Sequence, residues 1–234
     1  VKKLAVFVEG YTETVFVTKL IEEVSGRHNV IIETRRIFGG SSVPRRVQTI
    51  TAARPVSGEN YFVLIVDCGG DDQVKTRILE EHENLTRNGY QRVIGIRDVY
   101  PRYSRSDISA LHVGLRKYVK TSLIPVSFVL GVMEVEAWFL AEHSHFERVD
   151  GEITEDKINE KLGFVPSKDD MAERDTPAED LHKCYEIAGL KYEKGGDDKT
   201  MRALDFSKIY IELAESVESV GQLVQCLDEF LVGT

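Results

Sequence analysis

The chain has 234 residues, 42% of them hydrophobic and 29% charged, with a formal net charge of −9. That is enough for one large α/β domain, or a domain with a smaller appendage, and the acidity excludes a protein whose whole surface grips nucleic acid while leaving room for a local basic face. No apolar run approaches the roughly 20 residues of a membrane helix, no signal peptide is recognised, and Cys68, Cys184 and Cys226 are odd in number and widely spaced. The expectation is a cytoplasmic protein in a reducing compartment, without membrane contact or structural zinc.

Leu4 to Val8 is a continuous β-type run, as expected of a strand covered on both faces, and it ends abruptly in Glu9-Gly10-Tyr11-Thr12-Glu13. Thr12 to Val24 then places Val15, Phe16, Leu20 and Val24 on one helical stripe, with Thr12 as its N-cap. Val30 to Phe38 reads as a second strand closed by Gly39-Gly40-Ser41-Ser42. Pro44, at a position where proline is tolerated, predicts a second helix through Val47, Ile50 and Thr51. Tyr61 to Val66 is the third strand and ends in Asp67-Cys68-Gly69-Gly70-Asp71-Asp72. A helix from Gln73 to Asn88 stops at Gly89. Val93 to Ile96 is a short fourth strand ending in Arg97-Asp98, Asp107 to Lys120 a helix, and Pro125 to Val132 a fifth strand.

This alternation predicts an α/β fold, a mainly parallel sheet with helices on both faces, over residues 1–142. Residues 143–234 read as a mainly helical extension packed on that core. Just before it, Ala137 to Ala141 forms a short apolar helix carrying Trp138, the only tryptophan. Glu147 to Ala178 is polar and Gly/Pro-punctuated, an insertion with short helices or a mobile segment. Helices near 176–188 and 219–231 close the chain.

Three strands finish in carboxylates, at Glu9, Asp67 and Asp98, and the fifth leads into Glu134-Val135-Glu136, whose period-two spacing points both acids to one face if the chain is still extended. In a parallel sheet these tips share one edge, where open α/β sheets bind ligands. Acids converging there repel one another, and Mg²⁺ or Mn²⁺, which prefer oxygen ligands, would relieve the repulsion; Glu9, Asp67, Asp98 and Glu136 are the candidate metal ligands. Plainer roles stand beside these. Glu9 would cap the following helix and pair with a basic residue, Asp67 and Asp98 would form turns or helix caps, and Glu136 would be the buried partner of an arginine. Arg35, Arg36, Arg45, Arg46 and Arg54 crowd one stretch, and Arg92, Arg97, Arg102, Arg105 and Arg116 another, each residue more simply a solvated surface charge. There is no P-loop or Gly-x-Gly-x-x-Gly after a strand, and Gly39 to Ser42 reads as a plain loop. His143 and His145 read as loop histidines that complete no zinc set.

The residues Val8 to Glu13, Glu134 to Leu140 and Tyr192-Glu193-Lys194 together resemble a family of small bacterial TOPRIM-like proteins related to OLD-type nucleases. That family pairs an early Val-Glu-Gly-x-Thr-Glu with a later Glu-x-Glu-Ala element and a Tyr-x-Lys segment. The resemblance implies metal-dependent cleavage of phosphodiester bonds in DNA or RNA, in defence against phage or mobile DNA. Glu9 would be the first-strand metal ligand or general acid/base, Glu13 a second acid one turn along, and Lys194 a stabiliser of phosphate charge. Mg²⁺ or Mn²⁺ would be the cofactor. The family's Asp-x-Asp pair has no clean copy: Asp67-Cys68-Gly69 and Asp98-Val99-Tyr100 each keep only the first acid, with Asp71 or Asp72 as substitutes from the loop. The alternative is therefore a non-catalytic interaction module working with a partner protein such as an ATPase.

Overall fold

The structure, a computed structural model, describes residues 1–26, 29–39, 43–53, 61–70, 73–196 and 198–231. Arg54, the Asp71-Asp72 pair, His28 and residues 40–42 of the glycine-serine loop lie outside them. The fold is α/β: a six-stranded sheet with helices on both faces and further helices after the last strand. The strands are β1 (Lys2–Val8), β2 (Val30–Phe38), β3 (Arg46–Thr51), β4 (Tyr61–Asp67), β5 (Arg92–Asp98) and β6 (Val126–Gly131), in the order β3-β2-β4-β1-β5-β6. All neighbours are parallel except β2 and β3. A strand buried on both faces needs apolar residues at every position, and β1 has them. Leu4, Val6 and Val8 face α1 (Tyr11–Ser25), while Ala5 and Phe7 pack with Val74 and Ile78 of α2 (Gln73–Arg87).

One expected helix is a strand. Pro44 does not open a helix; residues 46–51 instead pair antiparallel with β2, as Thr34↔Thr51 and Phe38↔Arg46. Every residue of this edge strand is exposed. The sheet therefore has six strands where the sequence suggests five. Thr12 is likewise inside α1 rather than capping it, since Gly10 holds the N-cap position.

On the α2 side, α3 (Ile108–Arg116) covers the far strands through Leu111 and Leu115. On the α1 side, the chain after β6 forms α4 (Glu136–Ala141), α5 (His145–Val149), α6 (Glu155–Leu162), α7 (Pro177–Glu186) and α8 (Asp198–Ala203). It ends with α9 (Phe206–Lys208), a π turn at Ile209–Leu213, α10 (Ala214–Ser216) and α11 (Glu218–Leu231). Ile153, Ile158, Phe164 and Met171 from the polar stretch are buried in the same core as Val6 and Leu20. His145 is no loop residue: it begins α5, is fully buried, and burial pushes its imidazole down to about 4, so it is neutral at pH 7. Among the described residues no helix is long and apolar enough to cross a membrane, and all three cysteines are free thiols.

The joint between α1 and the later helices is aromatic. Phe16 lies 5.5 Å from Trp138, 5.4 Å from Phe139 and 5.5 Å from Phe206, ring centre to ring centre. Truncating it removes the shared contact of three segments, α1, α4 and α9. Phe16→Ala is expected to cost about 3–5 kcal/mol in urea unfolding, against about 0.5 kcal/mol or less for the exposed Val113→Ala.

Candidate functional site at the carboxylate edge

The strand registers set the edge. Val8 of β1 lies opposite Asp67 of β4, and Asp67 lies opposite Arg36 of β2, so these tips end level and Glu9 follows just beyond. The exits of β1 and β4 are tied together by Cys68 N–H donating to Val8 O at 2.9 Å and Gly70 N–H to Glu9 O at 3.0 Å. Gly69 makes the turn with φ +76°, and a Cβ there would stand 2.7 Å from Ile37 O. Its N–H donates to Asp67 Oδ1 at 2.9 Å, and Arg36 Nε lies 3.0 Å from Asp67 Oδ2. Glu9 Oε1 is 3.8 Å from Arg97 Nε of β5. Glu9, Glu13, Asp67, Arg36 and Lys194 line one cleft of about 230 Å³, floored by Gly69, Gly70 and Gly195. Glu9 and Asp67, the expected metal ligands of the first and third strand tips, thus line the same cleft.

Asp98 and Glu136, the other two proposed ligands, stand around Lys194. Its Nζ lies 3.0 Å from Asp98 Oδ2, 3.4 Å from Glu134 Oε1 and 3.3 Å from Glu136 Oε2. The chain delivers these acids without staying extended. After β6, Val135 already has helical backbone angles and Glu136 begins α4, so the period-two argument fails although both acids still meet one cation. The partner of Glu136 is thus a lysine, not an arginine. Asp98 Oδ1 accepts from Val135 N–H at 2.9 Å, an approach that requires Gly131, because a Cβ there would lie 2.7 Å from that oxygen. Ala178 N–H donates to Glu134 Oε2 at 2.9 Å and Tyr192 OH to Glu136 Oε1 at 2.7 Å. Gly195 N–H donates to Thr12 Oγ1 at 2.8 Å, which fastens the lysine loop to the first turn of α1.

Six carboxylates (Glu9, Glu13, Asp67, Asp98, Glu134 and Glu136), all buried, face three cations, Arg36, Arg97 and Lys194. The excess shows in the proton affinities. Burial pushes Glu13 up to about 7, with Lys194 pulling it down and Glu136 pushing it further up. Burial also lifts Asp98 well above the usual carboxylate range, and Asp67 and Glu136 above theirs, with Lys194 opposing at Asp98 and Glu136. Lys194 feels the converse: burial works against its charge, but Asp98, Glu136, Glu13 and Glu134 raise its affinity well above the normal lysine value.

In charge and donor type this set suits a hard divalent cation. In geometry it is partly occupied by Lys194, and among the described residues no three His, Cys, Asp or Glu side chains are arranged around one metal position. Four of the ten arginines grouped by the sequence are engaged elsewhere: Arg35 with Glu33, Arg45 with Glu80, Arg92 with Glu229, and Arg105 with the carbonyl of Arg174. Arg36 and Arg97 do belong to the edge. Their signal was positional, since each sits at a strand end beside the carboxylates. Glu134 was visible only as the companion of Glu136, and Thr12 and Tyr192 act through a loop distant in sequence. The chain matches no family model, no curated protein and no solved structure. What fold and site together define is an α/β protein with an acidic sheet edge closed by a lysine from its helical extension.

The Glu13 shift has a sign. A carboxyl with a raised folded-state affinity binds more protons folded than unfolded, so its contribution is favourable below the unfolded value near 4.5 and is lost as pH rises through about 7. The unfolding free energy is expected to carry a component that falls between about pH 4.5 and 7 by an amount on the order of 3 kcal/mol. Glu13→Gln is expected to flatten that component in denaturant titrations run across the same range.

Proposed function

We propose that the protein is a metal-dependent phosphodiesterase of the TOPRIM class, acting on nucleic acid at the Glu9–Asp67 cleft. The observation that carries the reading is the convergence of Glu9, Glu13 and Asp67 with Lys194 and Arg36 on one small cleft at the C-terminal edge of the sheet. Glu9 and Asp67, the acids of that cleft that face arginines on neighbouring strands, would hold Mg²⁺ or Mn²⁺, with water completing the shell. Such an ion supplies charge neutralisation at phosphate and a bound water of lowered pKa. The protein's own groups do the rest. Lys194, with its side chain 41% exposed, offers N–H donors to a phosphoryl oxygen from the loop that borders the cleft. Glu13, poised near 7, can hold or release a proton there. Arg36 can leave Asp67 for an entering phosphate, its side chain being 43% exposed.

One observation favours the second reading, a non-catalytic module that works with a partner protein. Lys194 already neutralises part of the acid set, as a cation built into a structural site would. A single experiment separates the two. Supercoiled plasmid and single-stranded DNA and RNA are incubated with the purified full chain and Mg²⁺ or Mn²⁺, beside Glu9→Ala and Lys194→Ala. Cutting that needs the ion and drops at least about 10²-fold in each variant is the expected result. A parent chain inert with both ions, or activity indifferent to Glu9, removes the nuclease reading. Native mass measurement showing a stable partner and no metal uptake would then establish the module.

A further inference from the structure

Arg97, 3.8 Å from Glu9, lines a second cavity of about 400 Å³ with a character opposite to that of the acid cleft. Lys75 from the first turn of α2, Arg97 from the end of β5 and Lys117 from the residue after α3 all line it, with Tyr103 and Asp107. Such a gathering of cations is unfavourable unless anions answer it: Arg97 has Glu9, whereas the two lysines still need one. Asp107 does not form that answer, because it is turned into its own loop, accepting from Ser104 N–H at 2.9 Å and Ser104 Oγ–H at 2.6 Å. Among the described residues neither Lys75 nor Lys117 forms an ion pair. Lys75 Nζ donates to Gly114 O at 2.7 Å, and both ammonium groups stand over the ring of Tyr118, at 5.6 and 5.1 Å. Arg97 has its Cζ over the ring of Tyr103, 5.1 Å from the ring centre, while its Nε lies 3.8 Å from Glu9. Burial lowers the affinity of Lys75 for a proton below the lysine norm, and the charges of Lys117 and then Arg97 lower it further. In a chain of net charge −9, three converging cations beside an acidic cleft are a local inversion of sign.

We propose that this cavity is a phosphate subsite, in which Lys75, Arg97 and Lys117 hold a phosphodiester group of a nucleic-acid strand whose neighbouring phosphate lies at the Glu9–Asp67 cleft. The identity of the ligand rests on the nuclease reading; the charge and shape of the cavity do not. Arg97 is the hinge of the arrangement. Its guanidinium lines this cavity and lies 3.8 Å from Glu9 of the acid cleft, so one cation faces Glu9 and takes a phosphate oxygen in the cavity. Phosphate contacts of this kind position a strand without reading its sequence.

The test uses the full chain and a fluorescein-labelled single-stranded oligonucleotide, with EDTA present so that binding is read without cleavage. Lys117 is exposed, so Lys117→Ala leaves the core untouched; Lys75→Met is the second variant, and exposed Lys168→Ala controls for the change in net charge. The expected result is a loss of affinity of about tenfold for Lys117→Ala and for Lys75→Met, with the slope of log affinity against log salt reduced by about 1. Inorganic phosphate should compete with the oligonucleotide on the parent chain and lose that effect on both variants. Affinity unchanged in Lys117→Ala, or changed only as much as in Lys168→Ala, overturns the subsite, as does a parent chain that binds free phosphate but no oligonucleotide. Lysine-dependent binding by a chain that cuts nothing with Mg²⁺ or Mn²⁺ keeps the subsite and removes the nuclease.

Discussion

The structure turns on the ammonium of Lys194. Asp98, Glu134 and Glu136 are buried within reach of a single Nζ. Carboxylates so placed stay ionised only beside a cation, and removing one partner from such a buried set is far more costly than the net gain from forming it. The lysine belongs to a loop in the helical extension, whereas Asp98 ends a strand of the sheet. The sheet edge and the extension are therefore conditions of each other. Tyr192 on Glu136, Ala178 on Glu134 and Gly195 on Thr12 hold the loop where the charge is needed. The shared apolar core, running from Val6 through Trp138 to Leu227, makes the same connection without charge.

Five of the six acids fall into two sets with different cations, and the sixth, Glu13, feels the charge of Lys194. Around Lys194 the contacts are short and three carboxylates share one charge, so that set is close to closed. Glu9 and Asp67 meet arginines from neighbouring strands instead, and the Glu9–Arg97 approach, at 3.8 Å, is too long for a hydrogen bond. An arginine fork that is half exposed, as at Arg36, can be exchanged for another partner at less cost than a lysine surrounded by acids. This asymmetry leaves the Glu9 side of the edge the more open to an exchanged partner and the Lys194 side the more nearly closed.

The sheet was legible because burial on both faces demands unbroken apolar runs, and Leu4 to Val8 and Tyr61 to Val66 supply them. The acids at their ends were legible for the same reason, since a charge that stops such a run marks a strand tip. Residues 46–51 were misread because β3 has no buried face: Arg-Val-Gln-Thr-Ile-Thr carries β-branched residues, but its strand state comes from pairing with β2, which a local pattern does not contain. Lys194 had no local signal at all. Only the resemblance of Tyr192-Glu193-Lys194 to a family motif raised it, and its physical role depends on a long-range encounter with acids from β5 and the start of α4.

Glu134 and Glu136 show how a correct grouping can follow from an incorrect geometry. Alternation along an extended strand puts residues two apart on one face, and that argument anticipated their convergence. The chain has already turned helical at Val135, and in a helix residues two apart do not share a face. What brings them together is the turn itself. Gly131 lets Asp98 accept from the N–H of Val135, and that bond pins the turn between the two glutamates. Glu134 then precedes α4 and Glu136 opens it, so one lysine reaches both from the side. The site is thus built less by the strand than by the way the strand ends, the same device that places Glu9 and Asp67 beyond β1 and β4.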